Sequence, residues 1–293
     1  MSESDILALI ADAGFAPLFF WGVVFVVSFS GIFGSILTRK ESKIAHTIGW
    51  ICWFIFALMA SLFVHALVVT LLLLVYGNGN ISTLAWTVLQ VVNYFVWFAI
   101  MIWLPWRRWK KGRKDLENKS RTKKPATKKT ETRRFVLKLS GLSRRPTWND
   151  VGQFLLLAPL YLVAIRAAEI ILTLFIGAEV MGQEQGMGLA KTGNTPISLI
   201  LIGLCLVVLA PLFEEMLIRG ALFSKIREKL KFWPTALLTA GVFALIHGQF
   251  NVGVMTFILA LFAAFLREKT GAIWSGIMLH MTQNGIAFCL LFL

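Results

Sequence analysis

The sequence predicts an all-α polytopic membrane protein of about eight transmembrane helices, in which the C-terminal five form one bundle. Of its 293 residues, 57% are apolar, and the mean hydropathy is +0.74. These values lie outside the range of soluble globular proteins. Long apolar runs recur along the chain, and several reach the length of about 20 residues that a helix needs to cross a bilayer. Basic residues between the runs support the same fold class.

The apolar runs define eight predicted spans. In chain order they are 15–37, 47–76, 82–105, 152–177, 196–223, 234–249, 252–267 and 272–293. The sixth and seventh are short for a full crossing, so we expect neighbouring helices to bury them or the bilayer to thin around them.

The basic residues predict the orientation of these spans. The alternate loops 38–43, 107–145, 225–231 and 267–269 together hold 26 of the 29 Lys and Arg residues. Because cytoplasmic loops are enriched in Lys and Arg, this asymmetry predicts a cell-membrane protein with its N-terminus outside. We expect the first apolar run to remain as a helix, since the segment before it is acidic and unlike a signal peptide.

One basic segment divides the predicted domains. Residues 107–145 hold 17 of the 29 basic residues against three acidic ones. The sequence thus predicts a three-span region at 1–105, a basic cytoplasmic linker at 106–146 and a five-span region at 147–293. We expect the linker to be disordered and to contact anionic lipid headgroups. Nucleic-acid binding is not expected, because a folded motif and interleaved aromatic residues are missing.

A charged cluster in the fifth span is the strongest functional signal. Ionisable residues within a membrane are costly and usually functional, and here Glu214, Glu215 and Arg219 interrupt an apolar run. On a helix, Glu215 and Arg219 share a face and can pair, while Glu214 points about 100° away and is left to act as a base. Pro211 is expected to kink or restart this helix just before the cluster and to free backbone carbonyls.

Two later motifs place further polar side chains at helical spacing. Phe243 and His247 are four residues apart, as are His280 and Asn284. Glu, His, His and Asn from three helices could converge on one pocket that holds a water. A third polar pair, at 166 and 169 on the fourth span, is interpreted as a structural ion pair between Arg and Glu.

These three motifs, in this order, resemble the CPBP family of intramembrane proteases, which includes the CAAX prenyl endopeptidases and the bacteriocin-processing, Abi-like proteins. The family pattern is Glu-Glu-x-x-x-Arg, Phe-x-x-x-His and His-x-x-x-Asn, and all of its residues are present here. The resemblance covers roughly residues 196–293. It does not reach the three front spans or the linker. The resemblance thus implies that the C-terminal five spans form the catalytic bundle, with an intramembrane protease domain at 147–293.

The resemblance implies hydrolysis of a peptide bond by an activated water. Glu214 would be the general base, and His247 would hold the same water, directly or through a metal. His280 and Asn284 would donate hydrogen bonds to the oxyanion of the tetrahedral intermediate. Glu215, Arg219 and Phe243 would support this set rather than act on the substrate.

Cofactor use is left open by the sequence. Glu214, His247 and His280 are a plausible ligand set for one divalent metal such as zinc, although the HExxH motif is missing. A glutamate-dependent mechanism without metal would use the same residues. Family usage favours a metalloprotease.

Other classes of function compete with the protease. The chain could be a non-catalytic membrane scaffold or immunity protein, or an ion or proton transporter, although no inverted repeat relates its two parts. For the enzyme, we expect a membrane-embedded or lipidated protein or peptide as substrate, of the CAAX type or the leader or bacteriocin type. Nothing in the sequence shows whether that substrate is prenylated.

Overall fold

A computed structural model describes residues 31, 34–35, 42–76, 83–119, 128–177 and 195–292. Of these residues, 89% are helical and none lies in a strand, which confirms the predicted all-α membrane fold. The chain forms two compact units, Met1–Met101 and Ile102–Leu293. The predicted domain boundaries at 105 and 146 stay a prediction.

The first unit is built from helix α1, Lys43–Tyr76, and the first part of helix α2, Thr83–Lys119. Aromatic side chains fill the contact between these two helices. The rings of Phe54 and Trp97 lie 5.2 Å apart, and the Trp53 indole donates a hydrogen bond to the carbonyl of Met101 at 3.3 Å. Most of the first predicted span, 15–37, lies outside the described residues.

The prediction of a disordered linker is wrong for two parts of it. Helix α2 continues through the basic residues to Lys119, and Lys128–Leu139 forms helix α3. Aromatic packing helps to explain this order, because the rings of Trp109 and Phe135 stack 5.2 Å apart. A high density of basic residues does not prevent a segment from being helical when apolar side chains recur between the charges.

Three helices form the body of the second unit: α4, Trp148–Ile176; α7, Phe250–Thr270; and α8, Trp274–Phe292. Tyr161 of α4 is buried in one core with Leu259 and Leu266 of α7 and Leu279 of α8. Most of the remaining surface of α4 is exposed and apolar, as expected for a helix in contact with lipid.

A second core connects the other helices of this unit. Helix α5, Pro196–Arg227, and helix α6, Phe232–Leu245, meet α7 where Phe223, Ala236 and Ala264 are buried together. Small residues on α6 and α7 allow their backbones to approach closely.

Five described helices are long and apolar enough to cross a membrane: α1, α2, α4, α5 and α7. Helix α6 is apolar but has only 14 residues, and it ends at Leu245, which corrects the predicted end of the sixth span at 249. Helix α8 is not among these five, and it carries polar side chains at 280 and 282–284. The chain is a multi-pass membrane protein, and the orientation of its termini stays a prediction.

Helix α5 is continuous but not uniform. Two π-helical stretches, Leu204–Leu209 and Met216–Phe223, flank the short α-helical segment Ala210–Glu215. Pro211 stands at the start of that segment and does not end the helix, contrary to a strict restart. π-Helical turns are rare and are frequent at functional sites. All eight residues of the second π stretch are buried, and Arg219 is one of them.

The end of the linker packs directly behind this cluster. A Cβ atom on Gly220 would overlap the backbone of Ser140, and one on Gly141 would lie 3.2 Å from the Cα of Gly220. Gly141 has a φ of 77°, which glycine adopts without strain. The turn after α3 therefore lies against α5 next to Arg219.

Hydrogen bonds of Arg144 connect the segment between α3 and α4 to the turn between α7 and α8. Arg144 donates to both carboxylate oxygens of Asp150, with the Nη2 to Oδ1 distance at 2.7 Å, and to the carbonyl of Thr270 at 2.9 Å. Hydrogen bonds with Asp150 raise the pKa of the Arg144 guanidinium. The indole of Trp274 donates to the carbonyl of Arg144 at 2.9 Å. The sequence predicts that Arg144 contacts lipid with the rest of the linker, whereas the structure shows it bound to the α7–α8 turn.

We expect Gly220→Ala to lower the free energy of unfolding by roughly 1–3 kcal/mol, because the added methyl would be forced into the backbone of Ser140. Gly152→Ala and Gly241→Ala are matched controls, since a Cβ at either helical position would meet no atom within 4 Å. They should be neutral or stabilise by about 0.5–1 kcal/mol. Thermal unfolding in detergent measures all three variants. A Gly220→Ala protein as stable as the controls would contradict this packing.

Candidate active site

An ion pair that is fully enclosed by protein forms the floor of the site. Arg219 Nη1 lies 3.0 Å from Glu215 Oε1, and the side chains are 1% and 0% exposed. The predicted pairing of these two residues is therefore confirmed. The contact is close in distance but not aligned as a hydrogen bond, so mutual charge holds it.

His280 of α8 lies between the two carboxylates. Its Nδ1 is 3.3 Å from Glu215 Oε1, and its Nε2 is 3.7 Å from Glu214 Oε2. Because a carboxylate oxygen accepts, Nδ1 carries the hydrogen of the shorter contact. Nε2 can donate only when the ring carries both protons. His280 is 3% exposed and so joins a buried glutamate to a more accessible one.

Phe243 is the point at which the three motifs meet. The Arg219 guanidinium lies 4.8 Å from its ring centre, and the rings of His247 and His280 approach it edge-on at 4.9 Å and 5.9 Å. This arrangement attracts the arginine to the ring face. Phe243 is fully buried, so it fixes the spacing of the charged and imidazole groups.

His247 lies in the turn after α6 rather than on the helix. Its Nδ1 is 2.7 Å from the carbonyl oxygen of Phe243. Since that oxygen can only accept, Nδ1 carries the hydrogen, and the lone pair of the neutral ring is on Nε2. Nε2 can then accept a hydrogen bond from a water.

Asn284 contacts the backbone of α5. Its Nδ2 donates to the carbonyl of Leu206 at 2.8 Å, so one of its two amide hydrogens is already used. Sequence reasoning did not find this partner. The sequence feature that pointed toward it was Pro211, because a proline in a helix leaves a carbonyl group earlier in that helix without a donor.

Metal binding is not supported by the arrangement of the predicted ligands. Within the described residues, which include Glu214, His247 and His280, no group of three or more His, Cys, Asp or Glu side chains has the geometry to hold a metal ion. A metal-bound water stays a prediction, and the mechanism below uses only side chains of this chain.

Gly276 is a further residue of the site that the motifs do not include. It lies one turn before His280, and a Cβ there would lie 3.0 Å from Glu215 Oε2. The missing side chain lets α8 approach the buried carboxylate closely. Within the described part of the chain, Glu215 Oε2 and Arg219 Nη2 are buried without a hydrogen-bond partner. Such unsatisfied buried groups are uncommon and need a functional or structural reason.

The predicted Arg166 and Glu169 ion pair on α4 is also present, and it lies apart from this cluster on an exposed face. Both side chains are accessible there, so the structure brings neither of them into the site.

Together, the fold and the site define a multi-pass membrane protein with a buried Glu, Arg and His cluster between three helices. Residues 196–286 match the family described as Type II CAAX prenyl endopeptidase Rce1-like. The matched segment contains all seven motif residues, and it is similar to this family along residues 196–286.

A protein of Bacillus subtilis (strain 168) named "Putative membrane peptidase YdiL" is 26% identical over 77 residues, which are 26% of this chain and 32% of that protein. The matched segment thus spans about a third of the length of this curated relative. No solved structure is detectably similar to the chain.

Proposed function

We propose that this protein is an intramembrane endopeptidase that hydrolyses a peptide bond with a water activated by Glu214. The match of residues 196–286 to the CAAX endopeptidase family supports the reaction class. The name of the Bacillus relative, a membrane peptidase, agrees with it.

One observation carries the assignment of the base. Of the two adjacent carboxylates, Glu215 is fully buried and paired with Arg219, whereas the Glu214 side chain is 15% exposed and lies beside His280. A base must reach both the water and the substrate. Only Glu214 meets that condition, and Glu215 serves to place His280 and Arg219.

The reaction follows from these positions. Glu214 removes a proton from water as the water oxygen bonds to the carbonyl carbon of the substrate. His280, when doubly protonated, donates from Nε2 toward the oxyanion, and His247 orients the water through the lone pair on Nε2. As the intermediate collapses, the carbon–nitrogen bond breaks and Glu214 returns the proton to the leaving amine. Each bond formed is matched by one broken, and the carboxylate is regenerated.

The substrate is proposed to be a membrane-embedded or lipidated protein or peptide. The site lies among membrane helices, so the scissile segment must reach it from the bilayer or its interface. A CAAX-type tail and a leader or bacteriocin-type peptide both satisfy this condition.

The test of this function is cleavage of a mixed membrane-peptide library by the purified full-length protein, with and without a chelator. Cleavage by the wild type that is lost in Glu214→Gln supports the proposal, and the cut sites give the substrate class. Chelator sensitivity would assign a metal. A folded wild type that cleaves no peptide would contradict the proposal and favour a scaffold or an immunity protein.

The basic linker is proposed to bind anionic lipid headgroups. Arg107 and Lys110 lie 4.8 Å and 5.0 Å from the rings of Trp103 and Trp106, which places cations beside residues typical of the membrane interface.

Replacing the four lysines at 123, 124, 128 and 129 with glutamine should weaken retention of anionic lipid, since each basic residue near such a surface contributes about 1 kcal/mol. The measurement is the phosphatidylglycerol that co-purifies with the protein, with phosphatidylcholine as the control lipid. We expect kcat to stay within about threefold of the wild type, because the replaced lysines precede the part of the linker that packs on α5. Unchanged lipid retention would contradict the proposed partner.

A further inference from the structure

The hydrogen-bond pattern of α5 leaves one backbone carbonyl without its partner in the helix. In the π-helical stretch Leu204–Leu209, the Ala210 N–H donates to the carbonyl of Cys205, five residues earlier. By the same spacing, the carbonyl of Leu206 would accept from residue 211. Residue 211 is proline and has no N–H.

Asn284 supplies the missing donor from another helix. Its Nδ2 is 2.8 Å from the carbonyl oxygen of Leu206, across a gap of 78 residues in sequence. A carbonyl in a membrane interior must find a partner within the protein, because no lipid tail can replace it. The contact therefore completes the backbone hydrogen bonding of α5 at the position where Pro211 interrupts it.

We infer that Asn284 is a positioning residue, which keeps α5 in its π-helical register and thereby fixes the direction of Glu214. The catalytic part of this inference rests on the proposed function. Glu214 lies three residues after Pro211 on the same helix. If the Leu206 carbonyl lost its donor, the bulge could relax toward an α-helix.

Such a change of register turns every later residue about the helix axis. Glu214 would then rotate away from His280 Nε2, which lies 3.7 Å from its carboxylate. A displacement of about 1 Å at a reacting group can lower a rate roughly a hundredfold. This route to lost activity needs no contact between Asn284 and the substrate.

Pro211→Ala offers a specific rescue. Alanine at this position restores an N–H that can donate to the Leu206 carbonyl within the helix, and a carbonyl can accept two hydrogen bonds. Pro211→Ala alone should stay within about threefold of the wild type in kcat. Asn284→Ala should then be damaging in the wild-type chain and much less damaging in the Pro211→Ala chain.

The experiment measures Tm, kcat and KM for the wild type, both single variants and the double variant, each as the full-length protein in detergent. Asn284→Ala should lower Tm by roughly 3–8 °C and kcat by roughly a hundredfold, with KM within twofold. In the Pro211→Ala chain, at least half of the Tm loss should be recovered and the loss in kcat should be tenfold smaller.

Two results would overturn the inference. The first is a loss of Tm from Asn284→Ala that is equal in the wild-type and Pro211→Ala chains, or a failure of Asn284→Ala to fold in both. Either would show that Asn284 does not supply the hydrogen-bond donor that Pro211 lacks. Recovery of Tm with an unchanged loss in kcat would show that Asn284 acts on the intermediate itself. If the wild type cleaves nothing, the proposed function fails. The difference between the Tm losses that Asn284→Ala causes in the two chains then still decides whether Asn284 stabilises the π-helical register of α5.

Discussion

Glu214→Gln is expected to lower kcat by roughly 10²–10⁴-fold, the range typical for loss of a general base. The amide keeps the shape of the carboxylate but cannot take a proton from water. KM should change little, because the substitution removes an interaction that matters in the transition state. Glu214 is at the accessible edge of the cluster, with 15% of its side chain exposed, so the fold should tolerate the amide.

Steady-state cleavage of the best peptide from the library measures this effect, with Tm as the check on folding. Glu228→Gln is the matched control. Glu228 directly follows the last residue of α5, and its Oε1 lies 2.7 Å from Lys225 Nζ in an exposed ion pair. This variant should cleave at the wild-type rate. A Glu214→Gln protein that keeps a rate within threefold of the wild type would show that another group is the base.

Arg219→Met is expected to lower the free energy of unfolding by about 3–5 kcal/mol, the range typical for removing one partner of a buried ion pair. The substitution keeps much of the side-chain volume but leaves the carboxylate of Glu215, which is 0% exposed, without its cation. It also removes the guanidinium from the face of Phe243. In thermal unfolding this corresponds to a fall in Tm of roughly 10 °C.

The double variant Glu215→Gln/Arg219→Met separates loss of a charge partner from loss of packing. Removing both charges should recover most of the stability, because a neutral pair no longer leaves a buried ion uncompensated. The glutamine oxygen can still accept from His280 Nδ1. Lys225→Met is the control, and it should cost at most about 1 kcal/mol because its ion pair is exposed. A double variant as unstable as Arg219→Met would assign the loss to packing on Phe243.

Local spacing was sufficient to predict several contacts. Residues four apart on a helix share a face, so the pairing of Glu215 with Arg219 and the contact of Phe243 with His247 could be read from the chain. Pro211 indicated freed carbonyls, and the Asn284 contact with Leu206 shows one of them. The same local reasoning placed the C-terminal end of α6 four residues too far along, since helix ends depend on turns such as the one at Gly248.

Long-range packing could not be read in this way. The charge of the linker predicts disorder, but Trp109 stacks on Phe135. The backbone of Ser140 also packs directly against Gly220. Neither contact leaves a periodic pattern, because each depends on two segments that are far apart in sequence.

The sequence by itself determined the membrane class, the all-α architecture and the identity of the polar motif residues, because apolar run length and helical spacing are local properties. Only the tertiary structure decided how the two glutamates differ. Glu215 is enclosed with Arg219, and Glu214 lies at the accessible edge beside His280. The close approach of α8 at Gly276, where a Cβ would lie 3.0 Å from Glu215 Oε2, helps to enclose Glu215, and this approach depends on contacts between helices.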